Sequence, residues 1–576
     1  MAEMPLRNAA PNQARPAGYD QVAAKAPKAL AGLRPNLEAS RGATASWWPV
    51  GAAVAGAAGS LRGRRLPRRE RKEGQAAVET TDRWGYDQEA YVKGYSSATS
   101  EQCCSLYSED LPKDLRGTYF KNGPAKLKVG EDVIKHPFDA DGMVAAVTFD
   151  GEGHAHFRNR FVRTPGFVEE LGAGQMLYRG QFSLKPGGWL ANAFDMRLKH
   201  VANTGVMEVA GRLFALWEAG KPFELDPKSL ATLGESDLNG GLTEEEPFTA
   251  HPRVDFNGTQ FGFNYRPEPV NGVTQVSFFE FTSDLALASR VDAELPGFGF
   301  YHDFLVTENY FILSKPPIEL SPQNALQAVL GFRGMGESIT FDKSQPSQIV
   351  LVSRDGSGVR YVDVDTHFCF HFANGFESDG KLVVDMVRTP ELSLGEASKG
   401  EGAVWEKFDW STMEGAFRLV RYEIDESSGD WKVRELCDRA VDFPSIAGGC
   451  GKPYRNLYCA TTLSGAPAPF QGLMKVDVTG ERAPEIWLPE AWEFLGEVVV
   501  CPKGKEPEGY LTGILIDARK DSCDLVVFDC QKVATGPICR LPLPSFMPHA
   551  LHGTFSPMVP DFEEIKAAWE KSPTSL

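Results

Sequence analysis

The chain has 576 residues, 42% of them hydrophobic and 11% aromatic with 36 Phe, which is ample apolar area for a large packed core or an apolar cavity. Its formal net charge of −17 excludes nucleic acid as the main partner, because duplex binding is driven by Lys and Arg neutralising phosphates. The ten cysteines are scattered, with no CxxC pair, which excludes a disulfide-framed secreted module and reads as reduced, mostly buried thiols. Residues 1–78 are rich in Ala, Pro and Arg and end in the basic run LRGRRLPRRERK at 61–72. Residues 1–73 alone hold 13 Lys/Arg against 5 Asp/Glu, a balance of +8, leaving −25 for the rest. This segment reads as an organelle transit sequence, which points to the plastid (chloroplast); the alternative is a disordered basic tail on a cytoplasmic protein. The uncharged run 42–61 has membrane-span length but consists mainly of Ala, Gly and Ser, weakly hydrophobic for a spanning helix.

From residue 84 to 576 the texture changes to short β-branched and aromatic runs separated by Gly, Pro, Asn and Asp. GTYFKNG, MVAAVTFDGEG, RLFALWEAG, QFGFNYRP, VSFFEFTSD, QIVLVSRDG, FCFHFANG, KLVVDMVRTP, YLTGILIDA and DLVVFDCQK all read as strands with close turns. Helical periodicity is confined to short stretches such as 325–330 and 561–571. The fold class is therefore all-β. So many strands would leave long unpaired edges in one open sheet, so a barrel, stacked sandwiches or a propeller is required, and the propeller is preferred although no repeat signature marks its blades.

Four of the ten histidines sit beside aromatic strand-like segments: FTAHPRVDF (His251), FGFYHDFLV (His302), HFCFHFANG (His371) and ALHGTFSP (His552). Gaps of 51, 69 and 181 residues exclude a local zinc-finger-like site but suit an axial one, where each blade contributes one side chain. Four neutral imidazoles leave the full charge on a divalent metal, and open positions there suit iron better than zinc. No HExxH motif supports a zinc hydrolase.

GTYFKNGPA, HPFDADGMV, KPGGWLANAFD with VANTGV, WEAGKPFELDPKSLATLG, TAHPRVD, YHDF, FHFANGFE, DFPSI with GKPY, and HGTF occur in that order across 116–555, and together they resemble the carotenoid cleavage oxygenases. The resemblance implies a seven-bladed propeller with a loop and short-helix dome over an axial iron site. It also implies one Fe(II) per chain, held by His251, His302, His371 and His552. His367 and His549 are rivals without the motif context, and His136, His154, His156 and His200 are expected to be structural.

The family further implies three carboxylates, each accepting a hydrogen bond from the distal nitrogen of an iron-bound imidazole and so fixing its tautomer. Glu218 matches the first and Glu497 the third; Asp442 stands where the second is a glutamate, so either it reaches through backbone adjustment or a water, or its hydrogen bond weakens and loosens its partner. Glu377 is expected to be a strand-end residue. The implied reaction is a dioxygenase cleavage of one C=C bond, with O2 and a carotenoid or apocarotenoid as substrates, two aldehyde or ketone products (retinal among the possible outcomes), and no organic cofactor. Tyr301, Phe304, Phe370 and Phe372 flank the ligands and are expected to line a substrate tunnel. Residues 316–334, with Leu326, Val329, Leu330 and Phe332, are expected to help dock the protein on a membrane surface as a monotopic, peripheral protein. A retinoid or carotenoid isomerase on the same iron site, or a non-catalytic carotenoid-binding propeller, remain alternatives. Stilbene cleavage is disfavoured because Arg179 stands near the position where stilbene-cleaving relatives carry a lysine.

Overall fold

A computed structural model describes residues 85–407, 417–463, 467, 469–503 and 508–572, so the basic segment 1–78 and the transit expectation lie outside the described residues. The strand-like segments pair antiparallel into seven sheets of four or five strands, with two small two-stranded ribbons besides. Tight turns drive this meander. Val209 pairs with Arg212 across Ala210–Gly211, and Ser378 with Lys381 across Asp379–Gly380; all four turn residues have φ between 54° and 75°. That is the two-residue hairpin whose backbone twist matches the twist of the strands it joins.

The first sheet closes the ring. Its strands Gln102–Leu106, Ala155–Phe161, Asp141–Asp150 and Arg116–Lys126 come from early in the chain, but the strand added beyond Arg116–Lys126 is Gly553–Ser556. The later sheets start from Gly205–Val209, Arg253–Val254, Leu305–Val306, Phe368–Ser378, Val441–Ser445 and Glu493–Phe494. Strands that begin one sheet touch those that begin the next: Gly553–Ser556 packs on Gly205–Val209, and Phe368–Ser378 packs on both Leu305–Val306 and Val441–Ser445. These strands line the axis of a seven-bladed β-propeller.

Aromatic side chains fill the wedges between blades. Between the third and fourth blades Phe261, Phe263, Phe278, Phe304 and Phe311 are buried together, with Phe278 and Phe311 stacked at 4.4 Å. Burying each such ring contributes about 2–3 kcal/mol.

Short helices Pro165–Ala173, Gly188–Asn192 and Pro322–Val329 interrupt the long connections between strands. The first and third start at Pro behind Thr164 and Ser321, whose hydroxyls accept from the helical N–H groups of Phe167 and Asn324. Arg179, fully buried, sews these connections together by donating to the carbonyls of Asn192, Asp195, Ala328 and Arg333. The Asp139 carboxylate accepts from the N–H groups of Gln181, Phe182 and Ser183 in the same layer. Its last residue, Thr204, accepts from the N–H of His552 at 3.1 Å, which sets the layer beside the histidine end of the axis.

Candidate metal centre

Axial strands bring the four motif histidines together. His251 and His302 lie just before Arg253–Val254 and Leu305–Val306, His371 lies within Phe368–Ser378, and His552 lies just before Gly553–Ser556. One ligand atom from each imidazole falls within 4.8 Å of the other three. The Nε2 atoms of His251 and His302 are 2.8 Å apart.

Three of the rings are held from behind. Nδ1 of His302 donates to Glu218 Oε2 at 2.9 Å, Nδ1 of His371 to Asp442 Oδ1 at 2.7 Å, and Nδ1 of His552 to Glu497 Oε1 at 2.9 Å. A carboxylate at Nδ1 fixes the proton there and leaves the Nε2 lone pair facing inward. Asp442 reaches His371 directly, without a water.

Electrostatics favour neutral rings at His251 and His552. Burial, reinforced by the facing imidazoles of His552, His302 and His371, holds His251 well below the usual imidazole range. Burial also lowers His552 despite the pull of Glu497. Burial opposes protonation of His371 too, but the charge and hydrogen bond of Asp442 outweigh it and raise that ring. For Glu497 burial works against ionisation, yet Lys121 and His552 prevail and hold its carboxyl at about 2.

The donor set fits a divalent metal. His371 Nε2 is buried and makes no hydrogen bond among the described residues, an arrangement that is costly unless the lone pair is used by something else. Imidazole nitrogens without thiolate suit iron, cobalt and similar ions.

Of the flanking aromatics, Phe370 stands edge-on to His302, 5.3 Å between ring centres. Tyr301 is buried against Tyr265, and its hydroxyl has no hydrogen-bond partner among the described residues. Phe304 and Phe372 correct the tunnel expectation. Phe304 packs 4.8 Å from Phe263 in the core between the third and fourth blades, and Phe372 lies in the next core with Leu305, Met386 and Tyr422. For Phe372 the reason is strand alternation: the neighbour of an inward-facing strand residue points to the other face. Phe370 escapes this rule because the strand register slips between Cys369 and His371, making it the extra residue of a bulge.

Three features were missed in the sequence. Phe443, at φ 53°, puts its ring 5.3 Å from that of His371 and 5.5 Å from that of His552. Lys121, in the GTYFKNGPA motif, donates to Glu497 Oε2 at 2.7 Å across 376 residues of sequence. An exposed apolar surface on residues 188–196 was visible only as a family motif. The other expectations are placed plainly: Glu377 accepts from the Thr307 hydroxyl and the Asn309 N–H at a strand end, and Arg179 is occupied by main-chain carbonyls. His367 bonds Asp365 O and His549 faces Tyr91 O, both outside the cluster.

Residues 98–557 match the family model described as retinal pigment epithelial membrane protein. The apocarotenoid-15,15′-oxygenase of Synechocystis sp. is 35% identical over 82% of this chain and 97% of its own length. A rice relative, carotenoid cleavage dioxygenase 7, chloroplastic, is 27% identical over 77% of this chain and 86% of its own. A solved structure of the cobalt-substituted Synechocystis enzyme superposes with a TM-score of 0.76 at 34% identity, covering 82% of this chain and 99% of that one. Its fold, its axial histidines and these relatives agree: the chain belongs to the carotenoid cleavage oxygenase family.

Proposed function

We propose that this protein is an Fe(II)-dependent dioxygenase that cleaves one C=C bond of a carotenoid or apocarotenoid, placing one atom of O2 on each of two carbonyl products. The observation that carries the reading is the convergence of four imidazoles within 4.8 Å, three of them backed by carboxylates at Nδ1. His251, His302, His371 and His552 would hold one ferrous ion per chain. When bound, that ion supplies the redox chemistry that lets O2 react with a closed-shell alkene.

The remaining steps belong to the chain's own side chains. Glu218, Asp442 and Glu497 keep the proton on the outer nitrogen of each ring, so that binding a metal needs no further deprotonation. Phe370 and Phe443 offer apolar faces beside the tetrad, and they would register one double bond of a polyene there and exclude water. The alkene and O2 together contain every atom of the two products, so no general acid or base is required.

A surface supports access to membrane-dissolved substrate. Leu190 and Phe194 are 72% and 73% exposed, and Trp189, Leu326 and Phe332 are exposed as well. Trp189 stacks on Phe332 at 5.5 Å and Phe194 N–H donates to Val329 O, so the two segments form one patch. Among the described residues no helix is long and apolar enough to cross a membrane. The exposed patch supports peripheral docking on a bilayer. The basic composition of 1–78 and the chloroplastic rice relative support import into a plastid, which imaging of that segment fused to a fluorescent protein would check.

The reaction is tested by incubating iron-loaded protein with apocarotenoids and carotenoids under ¹⁸O2 and weighing the products. Two labelled carbonyl fragments are expected. An isomerised but intact polyene would replace this reading with the isomerase, and an unchanged polyene with a binding protein.

A further inference from the structure

An ion pair between a half-buried Arg253 and a buried Asp303 lies among three of the ligand-bearing strands. Arg253 follows His251 by two residues, Asp303 follows His302 by one, and Phe372 follows His371 by one. The Arg253 guanidinium donates through Nη2 to Asp303 Oδ2 and, at 3.0 Å, to the carbonyl of Phe372; its Nε donates to the carbonyl of Phe304 at 3.0 Å. Asp303, 4% exposed, accepts in turn from the N–H of Phe372 at 2.8 Å and of Phe304 at 2.7 Å. One pair of side chains thus joins the third, fourth and fifth blades right beside three of the four imidazoles.

Stability alone does not account for it. An apolar pair of similar volume often serves a core at least as well as a buried ion pair, whereas a rigid guanidinium fork fixes geometry. Geometry is what a propeller axis lacks: strands within a blade are locked by their hydrogen-bond ladder, but neighbouring blades meet mainly through side-chain packing. A metal site needs its donors held to within about 0.5 Å.

We infer that Arg253 and Asp303 are positioning residues of the metal centre, fixing the height of His251, His302 and His371 along the axis relative to one another. The inference rests on the reading that the tetrad holds a divalent metal. Neither residue touches a reacting atom; each acts through the backbone next to a ligand.

The test uses the full chain, stripped of metal, as wild type, Arg253→Lys and Asp303→Asn. Co(II) alone is titrated in competition with a chromophoric chelator, the visible spectrum of the loaded protein is recorded, and each metal-free protein is melted. Arg253→Lys keeps the charge but not the fork, so it is expected to melt cooperatively while its Co(II) affinity falls about ten- to a hundredfold and its absorption bands shift. Asp303→Asn is expected to lose affinity at least as far. Wild-type affinity and spectrum in both variants would overturn the inference, as would a failure of Arg253→Lys to fold without metal, since the pair would then serve the propeller. Absence of Co(II) binding by the wild type would instead sink the reading of the tetrad itself.

Discussion

Asp442 shows how a single side chain can be shorter than its role and still fill it. Its Oδ1 accepts both from His371 Nδ1 and, at 2.8 Å, from the N–H of Phe443, which turns left-handed immediately afterwards. The register between this strand and its neighbour slips between Asp442 and Ser445. A backbone distortion thus accompanies the direct reach of the shorter carboxylate to His371. Asp442→Asn, which keeps the size but removes the charge, should leave the fold intact and weaken metal binding about ten- to a hundredfold, measured by chelator competition. Unchanged affinity would show that the carboxylate charge has no influence on the metal. Lys121 makes the complementary case. It is 3% exposed and its only carboxylate partner among the described residues is Glu497, so Lys121→Met would leave a buried anion uncompensated and should cost about 3–5 kcal/mol in denaturant unfolding. A loss below about 1 kcal/mol would mean that His552 and the N–H of Gly553 suffice for Glu497.

Elements differed in how openly they announced themselves. Alternating runs such as KLVVDMVRTP and the Asp379–Gly380 turn were readable, because a hairpin's requirements are local. The blades carry no repeat signature, so the number seven came from the family resemblance alone. The four ligands were legible for the same reason, and Lys121 was not, because nothing in a run of apolar and small residues tells that its amine will meet a glutamate near the other end of the chain. Phe304 and Phe372 lie in the cores between blades because adjacency to a ligand in sequence is not adjacency in space. The closing strand Gly553–Ser556 is the element on which the ring most depends, since it alone pairs with Arg116–Lys126 on that side. Thr554→Pro removes a ladder donor opposite Phe120 and should cost about 3 kcal/mol or more. Thermal unfolding is expected to stay a single transition at lower temperature; a separate early transition would show that the first blade comes loose by itself.

At the scale of the whole molecule, burial of neutral histidines makes the protein sensitive to acid. His136, His200 and His549 are each held down to about 4 by burial, against an ordinary value near 6.5. Folded, they stay neutral between those values, while the unfolded chain takes up protons there. Stability should therefore be fully present above about pH 6.5 and fall as pH drops towards 4, by up to roughly 3 kcal/mol per histidine. Urea unfolding at pH 7.5, 6 and 5 checks the sign; stability that is flat or rising towards pH 5 would contradict it.

The chain's overall plan gathers four distant imidazoles at one end of a rigid axis, so iron itself is the sharpest probe. Metal analysis and iron K-edge absorption on the purified protein should find one iron per chain in a shell of imidazole nitrogen, and His302→Ala should lose it while keeping the β-sheet circular dichroism of the wild type. Iron far below one per chain after anaerobic loading, or a His302→Ala variant that binds it as well as the wild type, would contradict the account.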